Sequence, residues 1–92
     1  MSAECGELER LALLAYKLFG EGPVDVYRLR YELVNSPLFA HIEGDWFDKS
    51  LAYAILATDV LEKRGDKYYI AKEWIKRMPE IVHNCGYLLS GP

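Results

Sequence analysis

The chain has 92 residues, a length that excludes a multidomain enzyme and leaves little room for a large buried catalytic cleft. Its residues are 51% apolar, 27% charged and 13% aromatic, which excludes a disordered or fibrous chain, and no apolar run approaches the roughly 20 residues of a membrane span. Eleven Lys and Arg against fourteen Asp and Glu give a formal net charge of −3, which argues against a protein that coats nucleic acid through bulk charge alone.

The amino end, Met1-Ser2-Ala3-Glu4-Cys5-Gly6-Glu7, is acidic where a secretory signal is basic, so the expectation is a soluble, cytoplasmic protein. Glu4 to Phe19 carries Leu8, Leu11, Leu14, Ala15 and Leu18 at the spacing of one helical face, with Ser2 as its N-cap and Gly20 as its stop. Gly20-Glu21-Gly22-Pro23 is a turn, and Val24 is the stub of a short strand. Asp25 caps a second helix with Val26, Leu29 and Leu33 on one face, and Asn35-Ser36-Pro37 ends it. Ser36 to Gly44 is a connector, after which a third helix is expected from Asp45 to about Thr58 through Phe47, Leu51, Ala54, Ile55 and Ala57.

The sharpest local signal follows. Two strand-like runs, Val60 to Arg64 and Lys67 to Ala71, flank Gly65-Asp66, a pair suited to a two-residue type II′ turn with glycine at positive φ. Helix is expected again over about 72–89. Its apolar positions Ile75, Met78, Val82, Cys85 and Leu89 form a seam able to pack on another helix, here a homodimer contact. Pro79 either kinks that helix or opens a second, short one, and Gly86 marks fraying beyond it.

Helix, strand stub, helix, helix, hairpin, helix is an order that resembles the winged helix-turn-helix family over roughly Glu7 to Trp74. Ile55 to Ala71 is similar to the end of a recognition helix running into a wing, and Val24 to Leu29 to the family's first strand and second helix. The resemblance implies a mainly α fold with a small β-hairpin. The expected architecture is a three-helix core with a wing and an extra C-terminal helix, as one domain over 1–92. It also implies a small DNA-binding protein, a transcription regulator or chromosome-associated factor.

Two features depart from that pattern. The connector Ser36 to Gly44 is nine residues where the family has a few. The third helix offers Lys49, Ser50, Tyr53 and Thr58, preceded by Glu43, Asp45 and Asp48, whereas reading a major groove calls for Arg, Lys, Asn or Gln. The DNA-contacting residues expected are therefore Lys63, Arg64 and Lys67 at the hairpin tip, extended by Arg28, Arg30, Lys49 and Tyr53. Tip cations that merely solvate the hairpin and guard its edges are the bland reading. The alternative role is a winged-helix protein-interaction module whose acidic, apolar third helix is a docking face; Phe39, Tyr53 and Tyr87 are the candidate exposed aromatics of a partner surface.

Chemistry is sparse. His41, His83 and Cys85 have no zinc-site spacing, and no phosphate-cradling glycine motif or nucleophile elbow occurs, so neither enzyme, metal nor cofactor is expected. The absence of Gln and the presence of only two Asn match heat-adapted compositions. Cys5 and Cys85 read as two buried thiols, the alternative being a bridge closing a loop of about 80 residues.

Overall fold

The computed structural model describes residues 5–35 and 55–90, with side chains described as far as Gly86. Among these the chain is mainly helical with one antiparallel hairpin. Helix α1 spans Glu7–Phe19 and α2 Val26–Val34; strands β1 and β2 span Leu61–Arg64 and Lys67–Ile70; α3 is Lys72–Lys76 and α4 Met78–Ser90.

Helix α1 starts later than the periodicity predicts, because its N-cap is Gly6 rather than Ser2. The Gly6 N–H donates to the Glu9 carboxylate at 3.0 Å, the side-chain half of a capping box. The single expected face is also too narrow: Leu11, Ala12, Leu13, Leu14 and Ala15 are all buried, while Leu8 is exposed. Five consecutive buried residues mean that α1 is covered on several sides, and α2, β2 and α4 all pack on it. It is the central rod of the core.

Asp25 caps α2 as expected, its Oδ1 accepting from the Tyr27 and Arg28 N–H groups at 3.1 and 3.2 Å. Leu29 and Leu33 are fully buried on α1's side, with Val26 packed beside them. Of the helix expected over Asp45 to Thr58, Ile55 and Leu56 are helical, and the residues before them lie outside the described ones. Helix stops at Leu56, not Thr58. The Thr58 hydroxyl donates to the Ile55 carbonyl at 2.8 Å and accepts from the Val60 N–H at 3.3 Å, turning the chain toward β1.

The hairpin has the predicted register, with Leu61 opposite Ile70 and Arg64 opposite Lys67. Gly65 has φ +67° and Asp66 has no positive φ, as a type II′ turn requires. Val24 forms an antiparallel bridge to Tyr68, its N–H donating to the Tyr68 carbonyl at 2.7 Å. The strand stub is thus real and lies along β2, opposite β1.

Pro79 opens a new helix rather than kinking an old one, since α3 ends at Lys76 and Pro79 sits in the first turn of α4. That helix runs 13 residues, straight through Gly86, so the expected fraying there is not found. The expected dimer seam needs correcting as well. Met78, Ile81 and Cys85 are buried in this chain's own core, Ile75 is packed against it, and Val82 is 46% exposed on the outer face. Two helices joined end to end do not share the continuous 3–4 phase on which that seam relied, and α1 already occupies the inner face of α4.

The two cysteines are not thiols. Cys5 and Cys85 form a disulfide, so the bridge and not the pair of buried thiols is what the fold contains. No helix among the described residues is long and apolar enough to cross a membrane.

Candidate nucleic-acid interface

The hairpin tip projects its charges because only its base is apolar. Leu61 and Ile70 are buried against the helices, whereas Lys63, Arg64, Gly65, Asp66 and Lys67 are all exposed. Alternation along a strand then decides which side chains share a face. Lys63 and Tyr68 stand on the same face as Leu61 and Ile70; Glu62, Arg64, Lys67 and Tyr69 stand on the other.

The cations differ in how they are held. Arg64 donates to Glu62 at 3.0 Å and its guanidinium carbon lies over the Tyr69 ring, 4.0 Å from the centroid, within cation–π reach. Lys63 sits 6.0 Å from the Tyr68 ring, at the outer limit of a cation–π contact. Lys67 forms no ion pair among the described residues. Within Glu62 to Lys67 three cations oppose two carboxylates, so the local excess is a single positive charge. Exposed pairs such as Arg64–Glu62 are worth about 0 to 1 kcal/mol, and an approaching phosphate can compete for the arginine.

The remaining sequence candidates separate. Arg28 is exposed on the first turn of α2, its guanidinium 5.9 Å from the Phe19 ring centroid, and Arg30 is half-buried farther along. Lys49 and Tyr53 lie outside the described residues, as do Phe39, His41 and the acidic residues Glu43, Asp45 and Asp48; the side chain of Tyr87 is also outside them. His83 is exposed on α4. Among the described residues no group of His, Cys, Asp and Glu is arranged to hold a metal ion.

Sequence reasoning missed the most exposed aromatics in the described chain, Tyr27 at 79% and Tyr31 at 65%. The signal was present. With Val26, Leu29 and Leu33 facing inward, a period of 3.6 sends positions 27 and 31 outward.

No family model, no curated protein and no solved structure matches this chain.

Proposed function

We propose that the chain is a small winged-helix DNA-binding protein, a transcription regulator or chromosome-associated factor whose hairpin is the wing. One observation carries the reading: a hairpin anchored by Leu61, Ile70 and the Val24–Tyr68 bridge, with Lys63, Arg64 and Lys67 exposed at its tip. A rigidly seated cationic ribbon can hold phosphates at fixed spacing, which positions a protein on a duplex without specifying sequence.

The magnitude is modest. Three phosphate contacts give a slope of about −2.7 in log K against log salt, so affinity falls roughly 40-fold between about 50 and 200 mM. Fluorescence anisotropy with a mixed-sequence duplex tests this. Lys63→Ala/Lys67→Ala should weaken binding and bring the slope to about −0.9. Absence of duplex binding even at the lowest salt refutes the reading.

The second reading, a winged-helix protein-interaction module that does not touch DNA, is favoured by the near balance of charge on the hairpin, where Glu62 engages Arg64. A duplex titration that stays flat at every salt concentration is the outcome that module predicts.

A further inference from the structure

Among the described residues, the outer face of α2 is left exposed, with Tyr27, Tyr31 and Val34 all open to solvent. Taking about 100° per residue, its inner side is fixed by Val26, Leu29 and Leu33. The opposite side presents, in angular order, Arg30, Val34, Tyr27, Tyr31, Asn35 and Arg28 over an arc of about 160°. No carboxylate falls on that arc; Glu32 lies beyond Arg28, and Asp25 is committed to the helix cap. Two tyrosines four positions apart stand about 5 to 6 Å from each other at Cβ, and both rings are open to solvent.

We infer that this face is a stacking platform for single-stranded nucleic acid, with Tyr27 and Tyr31 receiving unpaired bases and Arg28 and Arg30 reaching the phosphates. Three points lead there. Exposed rings flanked by cations are what strand binding without sequence preference uses, because every base has a π-face. The arc's two charged side chains are arginines, which donate only and so complement phosphate and base acceptors, while the Asn35 amide donates to the Tyr31 carbonyl at 2.9 Å. The start of α2 is also tied to the hairpin, since Val24, paired to Tyr68, precedes it by two residues. A duplex hides its base faces, so the tyrosines add little to duplex binding. The inference rests on the nucleic-acid reading above but not on the wing's own contacts.

The test uses the whole chain and a labelled oligothymidylate of about a dozen nucleotides, beside an abasic strand of equal length and the mixed-sequence duplex. Tyr27→Ala and Tyr31→Ala should each weaken oligothymidylate binding by about fivefold or more. Tyr→Phe at either position should leave it unchanged, and the abasic strand should bind the unmodified chain as weakly as oligothymidylate binds the double alanine variant. Duplex affinity should be the same in all five variants. Circular dichroism melts confirm that the alanine chains are folded, as expected for exposed positions.

Oligothymidylate binding insensitive to both tyrosines overturns the inference, whatever the duplex does. Duplex binding that depends on Lys63 and Lys67, with no strand binding, overturns it and leaves the wing standing. Tyrosine-dependent strand binding without duplex binding supports it and removes the wing. An acidic peptide of Glu, Leu and Phe that displaces oligothymidylate and binds more tightly in a tyrosine-dependent way reassigns the face to a protein partner and overturns it as well.

Discussion

Cys5 and Cys85 stand 80 positions apart in sequence and 5.2 Å apart at their Cα atoms, joined through sulfur. The bond fastens the segment before α1 to the middle of α4, and a second link runs parallel to it. The Glu9 carboxylate, which accepts from the Gly6 N–H with one oxygen, receives the Arg77 guanidinium at 3.1 Å with the other. The disulfide holds α1 to α4, and the ion pair holds it to the α3–α4 junction at Arg77.

Reduction should therefore lower the unfolding free energy by about 2 to 5 kcal/mol, near the value for a loop of this size in the chain-entropy account. Denaturant midpoints with and without reductant give the measurement. Cys5→Ala should match the reduced chain, whereas Cys85→Ser should fall below it, because the new hydroxyl is sealed in an apolar core. Identical midpoints under oxidising and reducing conditions would show that the bond clamps nothing. Such bonds occur in oxidising compartments and in the cytosol of heat-adapted organisms.

Two glycines should respond in opposite directions. Gly65→Ala places a Cβ at φ +67° and should cost about 1 to 2 kcal/mol, although the space around it is open. Gly86→Ala, within α4 and with nothing inside 4 Å of the added carbon, should stabilise by up to about 1 kcal/mol. Thermal melts of the two variants decide this, and a stabilised Gly65→Ala would mean that the turn is not the one described.

Adjacent residues on α4 discriminate its two faces. Ile81 is 1% exposed and Val82 46%. Ile81→Ala should lose about 2 to 5 kcal/mol, while Val82→Ala should stay within about 0.5 kcal/mol. If sedimentation shows a dimer that Val82→Asp dissolves, the outer face of α4 has a partner after all.

Glu62 offsets one of the cations on the hairpin. Glu62→Gln removes the carboxylate that engages Arg64 and raises the hairpin's excess from one positive charge to two. Duplex binding should then strengthen and its salt slope steepen by up to about 0.9. Weaker binding in this variant would indicate that Glu62 is needed to hold Arg64 in place over Tyr69.

The local features were legible from sequence because local physics sets them. Asp25 is followed by two amides in capping position, Gly65-Asp66 demands a positive φ between two apolar-ended runs, and proline at position 79 belongs in a helix's first turn. The errors came where a pattern was continued past its physical support. The Ile75 to Leu89 seam was drawn across the break at Arg77, and so assigned Val82 to the face that Ile81 occupies. Tyr27 and Tyr31 were reachable from the periodicity of α2, but attention went to aromatics outside the described residues.

Sequence alone determined the cap of α2, the turn of the hairpin and the place of Pro79 in a helix's first turn, since capping and φ preference act over a few residues. Only the tertiary structure decided that α1 is enclosed by α2, α4 and β2, that Val24 extends the hairpin, and that Cys5 meets Cys85. Those are contacts between positions far apart in the chain. They follow from how whole faces fit together, and no short window of residues contains that information.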